Sequence, residues 1–139
     1  MAILNEKFTI ISGVGDSLID ITEKIKGFVR NCNSKNAVIN IFVKNACSSI
    51  ITLENKKGLG EDFLNYIKNL IPANWKQDNI SQDDNAFSHI KASILGRSMT
   101  FAITNRELEL GEGQSIIVAD FSTASSDIEI IVSIIAQEG

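Results

Sequence analysis

Histidine occurs once in this 139-residue chain, as His89, so any acid–base chemistry by an imidazole has a single possible source. Cysteine occurs twice, as Cys32 and Cys47, without C-x-x-C or zinc-ligand spacing. That excludes a readable redox dithiol or structural zinc site and suits a reducing compartment. No apolar run approaches the roughly 18 residues of a membrane span, and Glu6 and Lys7 interrupt the stretch where a signal peptide needs an unbroken apolar core. A cytoplasmic protein without membrane association is expected. Basic residues number 13 against 17 acidic ones, a net charge of -4, and no Lys/Arg cluster carries interleaved aromatics. Nucleic-acid binding is therefore not expected. There is no aspartate-rich magnesium pair and no glycine-rich phosphate loop, since the G-x-G at Gly111–Gly113 precedes a strand pattern rather than a helix.

What is present is apolar and periodic. With 44% hydrophobic residues, the chain is long enough to bury one core, and a single domain over 1–139 is expected. Residues 7–12 read as a strand, followed by a turn with Asp16 as the cap of a helix. That helix carries Leu18, Ile21, Ile25, Phe28, Val29 and Cys32 on one stripe. The β-branched runs 37–44 and 48–54, separated by "NAC", read as one bent strand or two. Glu61 to Ile71 forms a second amphipathic helix that Pro72 stops. A polar loop from Ala73 to about Ala86 holds Trp75 and acidic residues. The remainder reads as strands, "SHIKASIL", "SMTFAIT", "ELEL", "QSIIVADF" and "IEIIVSIIA", with turns between them. Two helices among many strands, with no regular βαβ alternation, predict an α+β fold: a mainly antiparallel β-sandwich with two amphipathic helices.

Read as a strand, residues 88–93 place His89, Lys91 and Ser93 on one face, an arrangement suited to a phosphate or carboxylate. The plainer alternative is a half-buried histidine bonded to backbone, with Lys91 in solvent. Glu54 stands out among the carboxylates because it follows the apolar run "IITL"; Glu61 and Asp62 are explained by a helix start. Asn45 and Cys47 share a face if their segment is extended, and the Cys47 thiol is a candidate nucleophile if it meets His89. The plainer reading of Cys47 is a small hydrophobe.

The motifs Ser88-His89-Ile90-Lys91, Leu95-Gly96, Gly111 and Gln114, with Glu54-Asn55 upstream, resemble those of the YjbQ family, members of which are described as secondary thiamine-phosphate synthases. The likeness runs from about Ala37 to the C-terminus. It implies a YjbQ-like sandwich, a homotrimer, and a small polar cavity in which histidines from separate segments converge on a metal ion or anionic ligand. Here Asn45 stands in place of one such histidine and Gln77 in place of another, with Ala46 and Cys47 replacing threonines and Gly113 a tryptophan. Amides are poor zinc ligands, so His89 is the one histidine left to hold a divalent metal, with Glu54, Asp84 or Cys47 as the available support. Asn45, Cys47, Glu54, Gln77, Asp84 and Gln114 remain as candidate contacts to a small phosphorylated or anionic molecule.

Two functions follow from the resemblance. One is a thiamine-phosphate synthase-type transferase that joins a pyrimidine pyrophosphate to a thiazole phosphate, with His89 as acid or metal ligand and Lys91 stabilising phosphate charge. The other is a paralogue that has lost catalysis and acts as a small-ligand-binding or trimeric assembly protein.

Overall fold

Alternation of buried and exposed residues decides the layers of this chain, whose computed structural model describes residues 1–72 and 86–137. In chain order the elements are β1 (Ala2–Ile11), β2 (Ser17–Asp20), α1 (Thr22–Arg30), β3 (Ala37–Val43), β4 (Ser48–Glu54), α2 (Leu59–Leu70), α3 (Ala86–Leu95), β5 (Ser98–Thr104), β6 (Glu107–Leu108), β7 (Gln114–Asp120) and β8 (Asp127–Ala136). They form a five-stranded sheet in the order β1-β8-β3-β5-β6 and a three-stranded sheet in the order β2-β7-β4, antiparallel throughout. The fold is α+β and mainly antiparallel, as expected.

β8 shows why the larger sheet holds together. Ile128, Ile130, Val132 and Ile134 occupy every second position and are 0–3% exposed, while Glu129, Ile131, Ser133 and Ile135 point the other way. Each such aliphatic side chain, fully buried, contributes roughly 1.5–3 kcal/mol. Beside them in the same sheet are Ile39, Ile41 and Val43 of β3, and the small sheet contributes Ile50 of β4 and Ile116 and Val118 of β7. α1 adds Ile25 and Val29 to this core. A second cluster lies on the other face of the small sheet. There Ile51, Ile117, Ala119 and Phe121 pack with Phe63, Leu64 and Ile67 of α2 and Leu95 at the end of α3. The small sheet is thus the middle layer.

Three expectations need correction. The stripe from Leu18 to Cys32 is not one helix: Ser17–Asp20 pair with β7, and Leu18 packs in the outer cluster while Ile21, Ile25, Val29 and Cys32 fill the inner one. The carboxylate at the helix start is Asp20, whose Oδ1 accepts the Thr22 N–H at 2.9 Å, not Asp16. The runs 37–44 and 48–54 are two strands, one of the two arrangements expected, and they belong to different sheets.

The third correction bears on the site. "SHIKASIL" is helical, so there are three helices and not two among the described residues. Its buried positions are Ser88, Lys91 and Ala92, at the i, i+3, i+4 spacing of a helix face. Two of the three are polar, while Ile94 is 61% exposed. The helical period is present, but it is written in polar residues.

Candidate functional site

The inward face of α3 rests on the ends of β4 and β7. Ser88 donates through Oγ to the Phe121 carbonyl at 2.7 Å, and Ala92, with no exposed surface, lets the helix sit close to the sheet. Lys91 is 2% exposed; its ammonium donates to Asp16 Oδ2 at 3.3 Å and lies 5.3 Å from the ring centres of both Phe87 and Phe121. A buried ammonium needs such compensation from an opposite charge and from the negative faces of aromatic rings. Two positions along a helix are separated by roughly 200°. His89 and Lys91 therefore do not share a face, and the anion clamp expected from a strand reading is not formed.

His89 reaches the other way, to the turn between β3 and β4. Cys47 Sγ lies 3.6 Å from His89 Nδ1, and the Ala46 carbonyl oxygen lies 3.5 Å from the same nitrogen. Both side chains are partly exposed. The turn is shaped by Asn45, whose Oδ1 accepts the Cys47 N–H at 2.7 Å and whose carbonyl accepts the Ser48 N–H at 3.3 Å. Its segment is thus a turn and not the extended run that would place Asn45 and Cys47 on one face. The Phe121 N–H, donating to the Cys47 carbonyl at 2.9 Å, ties the turn to the end of β7.

Behind this surface pair is a buried carboxylate. Asp120 has no exposed surface, and its Oδ1 accepts Ser48 Oγ at 2.9 Å, Ser122 Oγ at 2.6 Å and the Ser122 N–H at 3.3 Å. Ser17, Asp120 and Ser48 lie side by side across the three strands. Among the described residues, Asp120 Oδ2, Ser17 Oγ and Ser49 Oγ are buried without hydrogen-bond partners. Asp120 follows the apolar stretch "SIIVA", the same signal that singled out Glu54, and could have been marked on that ground.

The chain has relatives in sequence and in fold. The family model for UPF0047 proteins, YjbQ-like, matches residues 6–137. The chain belongs to the YjbQ-like family. A UPF0047 protein of Methanothermobacter thermautotrophicus is 32% identical over 103 residues, covering 74% of this chain and 72% of the relative. One from Methanocaldococcus jannaschii is 30% identical over 116 residues, 83% of each chain. Among solved structures, a protein of Sulfolobus solfataricus, described as YbjQ-like and of unknown function, superposes with a TM-score of 0.91 at 26% identity, covering 98% of this chain and 99% of its own. A YjbQ/UPF0047 protein of Clostridium acetobutylicum gives 0.85 at 27% identity, covering 94% and 99%.

The remaining family-motif residues lie elsewhere. Glu54 and Gln114 face each other at the far end of the β4–β7 pair, six residues from the Ser48–Asp120 end. At the rise of a strand this is about 20 Å. Gln114 folds back over Gly111, and with Asp20, Thr22, Lys24, Asn55 and Gly113 it lines a separate cleft of about 340 Å³. Among the described residues of one chain, the YjbQ-like motif residues therefore fall into two separated groups and not one cavity. Gln77, Asp84 and Trp75 lie outside the described residues. Among the described residues, no group of three or more His, Cys, Asp or Glu side chains is placed to hold a metal ion, and no helix is long and apolar enough to cross a membrane.

Proposed function

We propose that this protein is a small-ligand-binding member of the YjbQ-like family, with its ligand site where α3 meets the β3–β4 turn, around His89 and Cys47. The observation that carries the reading is the burial of Lys91 against Asp16. A thiamine-phosphate synthase-type reaction asks for a cation beside His89 to stabilise phosphate charge, and Lys91 Nζ is committed to a carboxylate and two rings. His89 still offers a polar, partly exposed group to a small polar or anionic molecule.

The reading includes a homotrimer. Its support is an apolar row, Ile3, Ile135, Val38 and Ala102, that crosses four neighbouring strands on the outer face of the large sheet. Ile3, Ile135 and Val38 are 60%, 45% and 43% exposed.

The test is thermal unfolding of wild type and His89→Ala with pyrophosphate, thiazole phosphate, Zn²⁺ and Mg²⁺ in turn. A ligand at about 100 times its dissociation constant stabilises by roughly 2.7 kcal/mol, a shift of several degrees for a domain of this size. The expected result is a shift with at least one anion that His89→Ala abolishes. A shift that His89→Ala leaves intact overturns the placement of the site. Formation of thiamine phosphate by wild type but not by His89→Ala would restore the transferase reading.

A further inference from the structure

Cys47 and His89 come from segments 42 residues apart and meet with Sγ 3.6 Å from Nδ1. The same nitrogen is 3.5 Å from the Ala46 carbonyl oxygen. A carbonyl can only accept, so both contacts are favourable together when Nδ1 carries the proton and faces two acceptors, the carbonyl oxygen and the Cys47 sulfur. If the thiol instead keeps its proton and donates it, the Nδ1 lone pair is left pointing at the carbonyl lone pairs. The geometry places the thiol within reach of an imidazole nitrogen that can take its proton, the step that turns a thiol into its nucleophilic form.

The surroundings narrow the chemistry. Acyl transfer needs N–H donors aimed at a developing oxyanion. The two amides nearest the sulfur are engaged, Cys47 N–H by Asn45 Oδ1 at 2.7 Å and Ser48 N–H by the Asn45 carbonyl at 3.3 Å. Thiol–disulfide exchange needs no such hole, because charge passes from sulfur to sulfur.

We propose that Cys47 is a reactive thiol that undergoes exchange with low-molecular-weight disulfides, His89 serving as its proton acceptor and donor. Cys47 passes its proton to His89 Nδ1, and the thiolate attacks one sulfur of the disulfide. A new Cys47 S–S bond forms, the original S–S bond breaks, and the departing thiolate takes the proton from Nδ1. The small disulfide loses one of its two thiols, and Cys47 is left as a mixed disulfide. Cys32, 3% exposed in the inner core, is not a competitor. Among the described residues, Lys44 pairs with Glu129, Lys91 with Asp16, Arg97 stacks on Phe42, and Asp120 faces between the sheets with its serines. The exchange does not require that the proposed small ligand bind.

The experiment incubates the full chain with oxidised glutathione and follows adducts by intact mass and peptide mapping, for wild type, Cys47→Ser, His89→Ala and His89→Gln, at pH 7 and pH 9.5. The expected result is a single adduct at Cys47, absent in Cys47→Ser. Both His89 variants should form it about tenfold or more slowly at pH 7. The rates should converge at pH 9.5, where an ordinary thiol, with a pKa near 8.5, ionises without help. Equal rates at pH 7 with and without His89, or a wild-type rate no higher than that of a cysteine in a short unstructured peptide, overturn the proposal. Ligand binding is read separately by thermal shift, so failure of one reading is distinct from failure of the other.

Discussion

A lysine ammonium withdrawn from water must find its compensation within reach, and Lys91 finds it in the Asp16 carboxylate and the faces of Phe87 and Phe121. The two partners are unequal: the Lys91 side chain is 2% exposed and that of Asp16 28%. Removing the acid strands a buried cation, whereas replacing the lysine by an apolar chain of similar length leaves a carboxylate that water can reach. Asp16→Ala should cost about 2–4 kcal/mol in urea unfolding, and Lys91→Met should stay within about 1 kcal/mol of wild type. The reverse order would mean that Lys91 is solvated in solution. None of this was visible in the sequence, where Asp16 looks like a helix cap and Lys91 like half of an anion clamp. Residues 75 apart meet here because Asp16, just before the edge strand β2, and α3 lie at the same end of the small sheet, and spacing along the chain carries no trace of that contact.

At the scale of elements, strands of the large sheet are tied by charge as well as by their ladders. Glu129 of β8 accepts Lys7 of β1 at 3.4 Å and Lys44, just past β3, at 3.5 Å. The hydrogen bond from Lys7 and the charge of Lys44 hold its carboxyl below the ordinary value of 4.5, against the smaller opposing effect of burial. A carboxylate whose folded value is depressed stabilises the fold above its unfolded value and loses that contribution as pH falls through the folded one. Glu129→Gln should therefore flatten the acid flank of a plot of unfolding midpoint against pH below about 4.5, leaving the profile between pH 6 and 8 parallel to wild type. An unchanged acid flank would show that these exposed pairs do not persist in solution. α3 teaches a different lesson at this scale. Its sequence passes for a strand because the residues it buries are Ser88, Lys91 and Ala92, while Ile94 faces out. Reading a period from apolar residues fails when a helix is seated by a hydroxyl, an ion pair and an alanine.

For the whole molecule, the large sheet is the side with most to hide. Its inner face is saturated with isoleucine and valine, and its outer face still exposes Ile3, Val38 and Ile135 in one row. A charge in the middle of that row should break an assembly built on it without disturbing the core. If the proposed homotrimer is built on this row, Ile135→Asp is expected to convert trimer to monomer in light scattering coupled to size exclusion, with its far-ultraviolet circular dichroism unchanged. A variant that keeps the wild-type mass would remove this face from the interface, and a monomeric wild type would remove the trimer.

What the sequence determined by itself is whatever one segment can specify locally. The alternation of β8, the stripe of Ile25 and Val29, and the helical spacing of Phe63, Leu64 and Ile67 each state which side must leave water, and that is enough for an α+β antiparallel fold. The family motifs were legible in the same way, as short strings. Only the tertiary structure decided which of those strings meet. It joined Cys47 to His89, as the sequence allowed, and Lys91 to Asp16, which the sequence did not suggest. It also placed Glu54 and Gln114 at the opposite end of the β4–β7 pair, where a strand's length keeps them apart from the histidine. The reason is physical: burial pattern is a property of each element's own periodicity, whereas a site is a distance between elements, set by sheet order and register once the cores have closed.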